Sequence, residues 1–144
     1  MATGQAKPEI DAGIVKSEWL DHLNTLVKEV KGWAETSGWR TRVTDKTLSE
    51  RRLGSYKVPV LLMEKDAVEV VLNPVARFVP GANGAVDLYR APAYDDIAGL
   101  YLEGDRWMLH FADRDAATAA KSATETKTEP CNQETIHKVL DSIA

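Results

Sequence analysis

The chain has 144 residues, 44% of them hydrophobic and 28% charged, the balance of one globular domain and not of a disordered or fibrous chain. Its formal net charge of -4 argues against a nucleic-acid partner, because neutralising phosphates needs a basic surface. The single cysteine, Cys131, excludes an internal disulfide and any CxxC redox or zinc unit.

Met1 to Gly13 mixes Gly, Pro, Ala and charge without period, and is expected to be a flexible tail ahead of one domain spanning 14–144. It has no apolar stretch of the signal-peptide kind, and no window approaches the roughly 18 apolar residues of a membrane span. A cytoplasmic protein with no membrane partner is the expectation.

Trp19, Leu23, Leu26, Val27, Val30, Trp33 and Ala34 then recur at steps of three and four, which predicts a helix with one apolar stripe. Ser17 is its predicted N-cap and Gly38 its terminator. The period switches to two over Trp39 to Thr44, a short strand. Thr47 and Glu50 have capping-box spacing, so Leu48 to Leu53 reads as a helical turn or a loop.

From Tyr56 the pattern predicts consecutive antiparallel strands. Val58 to Met63 is apolar, with Pro59 expected at the strand's start or beside a bulge. Glu64-Lys65-Asp66 turns into Ala67–Leu72, and Asn73-Pro74 is expected to bend or break the chain. Val75–Val79 and Ala85–Arg90 flank a loop containing Asn83-Gly84, and Gly104-Asp105 suits a two-residue hairpin turn between Ala98–Glu103 and Arg106–Phe111. Residues 113–131 are polar and poor in bulky apolar side chains, and read as a linker or loop. Asn132 then caps a final helix carrying Ile136, Val139, Leu140 and Ile143. The fold class is therefore α+β: a mostly antiparallel meander of five to seven strands, with an N-terminal and a C-terminal helix packed on one face.

The chemistry-bearing patterns are sparse. The three histidines and one cysteine are far apart, so no zinc set converges in sequence; Glu18 and His22 are one helical turn apart and read as a solvated pair. There is no Gly-x-Ser-x-Gly elbow and no phosphate-binding Gly-rich loop ahead of a helix. Glu-x-Lys occurs at Glu29–Lys31 and Glu125–Lys127, and neither follows Asp87 on a neighbouring strand as a metal-dependent nuclease would need. No cofactor, metal or catalytic residue is assigned.

Two stretches stand out. Asp87, Tyr89, Arg90, Tyr94, Asp95 and Asp96 concentrate the residue types that dominate recognition surfaces, since tyrosine and arginine join a large contact area to a polar tip. Arg40, Arg42, Arg51, Arg52 and Lys57 form a basic patch in sequence, suited to an acidic partner or an RNA backbone, although only Trp39 and Tyr56 lie nearby for base stacking. The leading expectation is a non-catalytic binding or protein-interaction module, with a protein partner or self-association. Two alternatives stay open. One is a small metal-assisted hydrolase or nuclease built on Asp87, Asp95 and Asp96, with His110 as base. The other is a small-molecule-binding domain with a pocket lined by Trp33, Trp39 or Trp107.

Overall fold

A computed structural model describes residues 11–92, 95–112 and 126–142. Helix α1 spans Ala12–Thr36. Strands β1 (Arg40–Glu50), β2 (Gly54–Lys65), β3 (Val68–Ala76), β4 (Ala85–Ala91), β5 (Asp95–Glu103), β6 (Arg106–Ala112) and β7 (Thr126–Pro130) follow. Helix α2, Gln133–Asp141, comes last. The strands form one antiparallel sheet in sequence order, β1 to β7. The chain is thus an α+β protein with a seven-stranded meander. Among the described residues no helix is long and apolar enough to cross a membrane.

The first helix begins before Ser17. The Asp11 carboxylate accepts from the backbone N–H of Gly13 at 3.0 Å and of Ile14 at 3.2 Å, satisfying two donors that the first turn leaves unpaired. This turn breaks the apolar period because it is exposed, with Ile14 facing solvent. Downstream, Trp19, Leu23, Leu26, Val27, Val30 and Ala34 are buried. The helix ends at Ser37, and Gly38 takes the positive φ of 90° that reverses the chain.

β1 differs from its expected form. It does not stop at Thr44 for a helical turn; it runs to Glu50, paired with β2 from Arg40↔Glu64 to Glu50↔Gly54. The ladder supplies partners for the whole segment, which outweighs the local capping-box signal. The Glu50 side chain is also committed elsewhere, to the backbone N–H groups of Arg77 and Phe78. Pro59 lies inside β2, not at its start. β2 pairs with β3 only from Leu61 onward, so at Pro59 it has one neighbour and a missing N–H is tolerated. The alternation of buried side chains shifts phase around Pro59, with Tyr56 and Val58 on one side of it and Leu61 and Met63 on the other all joining the core.

At Asn73-Pro74 the strand is irregular but unbroken, so of the two expected outcomes the break does not occur. β3 continues to Ala76, with Pro74 buried opposite Val86 and a register shift immediately after it that absorbs the irregularity. The C-terminal end of the polar linker is likewise a strand: β7 pairs with β6 from Met108↔Pro130 to Ala112↔Thr126. Polar residues and a terminal proline suit an edge strand, which needs hydrogen bonds on one side only. Residues 113–125 of that linker, residues 1–10 of the tail and Ile143 lie outside the described residues.

Asn132 caps α2 as its position suggests, in a reciprocal box with Thr135: Thr135 N–H donates to Asn132 Oδ1 and Asn132 N–H to Thr135 Oγ1, each at 2.9 Å. Ile136, Val139 and Leu140 join the buried residues of α1 and alternate residues of β2–β6 in one hydrophobic cluster. Its sheet members are Tyr56, Val58, Leu61, Met63, Val70, Leu72, Val86, Leu88, Ala98, Leu100, Leu102 and Leu109. By alternation, Val71 and Asn73 (β3), Asp87 and Tyr89 (β4), Gly99 and Tyr101 (β5) and His110 (β6) stand on the sheet face opposite that cluster.

Candidate functional site

The meander spreads the acidic and aromatic stretch over a hairpin. Asp87, Tyr89 and Arg90 sit on β4. The backbones of Asp95 and Asp96 open β5, opposite Arg90 and Tyr89 respectively, with a register shift at Leu88/Tyr89. Tyr94 and the side chains of Asp95 and Asp96 lie outside the described residues. Asp87 instead belongs to a row that crosses five strands at one register level: Asn73, Asp87, Gly99, His110 and Thr128.

Lys46 joins this row from β1, donating from Nζ to Asn73 Oδ1 at 2.7 Å. Burial lowers the Lys46 pKa, and the Asp87 charge opposes that shift. Tyr101 leans over the side-chain-free position at Gly99, where a Cβ would stand 3.1 Å from the ring, and meets His110 edge-on at 4.8 Å. The His110 Nε2 is shielded and has no hydrogen-bond partner among the described residues. Asp87 and His110 are separated by β5, so their backbones stand about 10 Å apart, two strand spacings. Among the described residues no group of three or more His, Cys, Asp or Glu side chains is placed to hold a metal ion.

The basic patch of the sequence divides between the two ends of the edge strand β1. Arg40 lies at one end and donates to Glu64 Oε1 at 2.7 Å, with Arg42 two residues along. Arg51 and Arg52 lie past the other end, in the turn to β2, about 35 Å away along a strand rising about 3.3 Å per residue. Lys57 is exposed on β2 opposite Thr47.

What joins Arg51 and Arg52 in space is a segment the sequence reading did not select. Arg77 and Phe78 follow β3. The guanidinium carbons of Arg52 and Arg77 lie 5.4 Å and 5.1 Å from the centre of the Phe78 ring, within cation–π range. Arg51, Arg52, Arg77 and Phe78, with Glu50, Val79, Pro80 and Ala82, line one open groove of about 550 Å³. Among the described residues none of these three arginines has a carboxylate oxygen within 4.0 Å. Arg51 and Arg52 are exposed, and Arg77 and Phe78 half-buried.

A chain of hydrogen bonds holds this tip. Glu50 accepts from the backbone N–H of Arg77, at 3.1 Å to Oε1 and 3.0 Å to Oε2, and from that of Phe78 at 3.1 Å. The Tyr56 hydroxyl also donates to Glu50, and it accepts from the buried Trp19 Nε1 at 3.1 Å. Burial raises the Tyr56 pKa, and the hydrogen bond and negative charge of Glu50 raise it further. Helix α1, both strands of the first hairpin and the β3–β4 connection are therefore tied together through Glu50. No local signal marks this arrangement: Glu50 and Arg77 are 27 residues apart, and only the pairing of β1, β2 and β3 brings them together.

A further groove, of about 330 Å³, is lined by His22, Glu29, Asp105, Trp107 and Cys131 among others. His22 Nε2 is 3.9 Å from Asp105 Oδ1, at the limit of an ion pair. Burial, and secondarily the charge of Glu29, pushes the Cys131 thiol up to about 12, which leaves it almost entirely protonated and a poor nucleophile near neutral pH.

The sequence matches no protein-family model, no curated protein and no solved structure.

Proposed function

We propose that this chain is a non-catalytic protein-interaction module that docks an acidic segment of a partner at the arginine tip. One observation carries the reading: Arg51, Arg52 and Arg77 line a single groove, two of them held against the Phe78 ring. Arginine suits this task because its planar fork pairs two oxygens at once and stacks on aromatic rings. The Phe78 ring restricts the guanidiniums before a partner arrives, so less side-chain freedom is lost on binding. Glu50 fixes the backbone that carries Arg77 and Phe78.

The reading is tested by fluorescence anisotropy with a labelled oligoglutamate peptide. Binding is expected to weaken as salt rises, because exposed charge contacts are screened beyond about 8 Å at physiological ionic strength. Arg52→Glu combined with Arg77→Glu should lower affinity by about tenfold or more, each exposed contact being worth up to about 1 kcal/mol before the added repulsion. Arg40→Glu, at the far end of β1, should leave it unchanged. Equal binding by the double variant and the wild type, with both folded by circular dichroism, would overturn the reading.

A further inference from the structure

We propose that the group read at the arginine tip is the phosphate of a phosphorylated side chain in the partner segment. This rests on the proposed function and specifies its ligand. Three guanidiniums against one carboxylate, Glu50, leave two net positive charges around the groove. A phosphoserine, phosphothreonine or phosphotyrosine carries about -1.5 to -2 at neutral pH, which matches that surplus; a single carboxylate leaves about half of it uncompensated.

The donor geometry points the same way. The oxygens of Glu50 are occupied by the Arg77 and Phe78 backbone N–H groups and by the Tyr56 hydroxyl. Among the described residues no carboxylate takes the guanidinium forks of Arg51, Arg52 and Arg77, which are available to a ligand. A carboxylate offers two oxygens in one plane, whereas a phosphate monoester offers three terminal oxygens arranged tetrahedrally and carries more charge, so it pairs with forks arriving from several directions. Arg52 and Arg77 both lie within cation–π range of the Phe78 ring, so two of the forks are restricted beside the groove that all three arginines line. Backbone amides contribute little, since those of Arg77 and Phe78 are engaged by Glu50; recognition is by side-chain forks.

The test is isothermal titration of the full chain with three short alanine-based peptides, alike except for one central residue: phosphoserine, glutamate or serine. A single-stranded oligonucleotide is titrated alongside. The phosphoserine peptide is expected to bind about tenfold or more tightly than the glutamate peptide, and the serine peptide not measurably. Its affinity should fall as pH drops through about 6, where the phosphate gains its second proton. Arg77→Lys, which keeps the charge but loses the fork, should remove most of the preference for phosphate. Arg52→Lys gives the same readout if Arg77→Lys does not fold. Equal affinity for the phosphoserine and glutamate peptides would overturn the phosphate assignment and leave acidic docking standing. Binding of neither would overturn the phosphate assignment, and acidic docking falls with it when the labelled oligoglutamate peptide also fails to bind. Tighter binding of the oligonucleotide than of the phosphoserine peptide would overturn the assignment to a protein partner.

Discussion

Replacing Tyr56 by phenylalanine removes one oxygen from a buried site and changes little else in shape. In the wild type that oxygen accepts from Trp19 Nε1 at 3.1 Å and donates to Glu50. Trp19 is 1% exposed and Tyr56 7%, so water does not readily replace the lost partner. A hydrogen bond to a charged group contributes about 1.5–3 kcal/mol, and leaving a buried donor such as the Trp19 N–H unpaired costs about 1–3 kcal/mol. Glu50 keeps the two backbone N–H groups of Arg77 and Phe78, so the losses do not add fully. The expected destabilisation is about 2–4 kcal/mol, or a fall in Tm of roughly 6–12 °C for a domain of this size. Urea denaturation followed by tryptophan fluorescence measures it, with the slope against denaturant unchanged if the denatured state is unaltered.

The same substitution has a signature in pH. The folded-state pKa of Tyr56 is raised, by burial first and then by Glu50. The folded protein therefore holds this proton more tightly than the unfolded chain does. The stabilisation is complete below the unfolded tyrosine value of about 10 and is lost as pH rises through the higher folded value. Tyr56→Phe should flatten that alkaline decline. A loss below about 0.5 kcal/mol, the range of ordinary surface substitutions, together with an unchanged alkaline limb would refute the reasoning that this chain of hydrogen bonds holds the tip.

Two further outcomes follow from close packing and burial. At Gly84 an added Cβ would lie 2.2 Å from Trp19 Cζ3 and 2.7 Å from Cη2, so Gly84→Ala should cost about 1–3 kcal/mol or more in chemical denaturation. Gly32→Ala, in α1 with nothing within 4 Å of the new carbon, should instead stabilise by up to about 1 kcal/mol; equal effects at the two sites would show that the clash is relieved freely. Cys131, its thiol pushed up to about 12, should react with a disulfide reagent near pH 8 on the order of a hundredfold more slowly than in the urea-unfolded chain, and equal rates would place the thiol in solvent.

The residue pattern carried the helices and the antiparallel character of the sheet, and left the strand order to the pairing. The steps of three and four from Trp19 to Ala34, the Asn132 cap and the Gly104 turn, where φ is 65°, each depend on neighbours within a few residues, so they are readable locally. Where a local signal competed with strand pairing, pairing prevailed. The capping-box spacing of Thr47 and Glu50 lies within β1, Asn73-Pro74 lies within β3, and the polar run Thr126–Pro130 is an edge strand. In each case the ladder offers hydrogen bonds that the isolated segment does not have.

The two candidate surfaces show the same division more sharply. Asp87, Tyr89 and Arg90 were visible because they are close in the chain, but the row linking Asp87 to Asn73, Gly99, His110 and Thr128 is a consequence of register across five strands. Arg51 and Arg52 were visible as charge, yet their neighbours in the chain's basic segment, Arg40 and Arg42, lie at the other end of an 11-residue strand. Period and turn chemistry are local, so the chain's pattern alone gave away which residues are apolar, the Asn132 cap of the last helix and an antiparallel meander, while the start of the first helix, capped by Asp11 and not Ser17, escaped it. Only the tertiary structure brought Arg77 and Phe78 to the first hairpin and placed Glu50 beneath them, because contacts between strands depend on register and twist, which one segment does not encode alone.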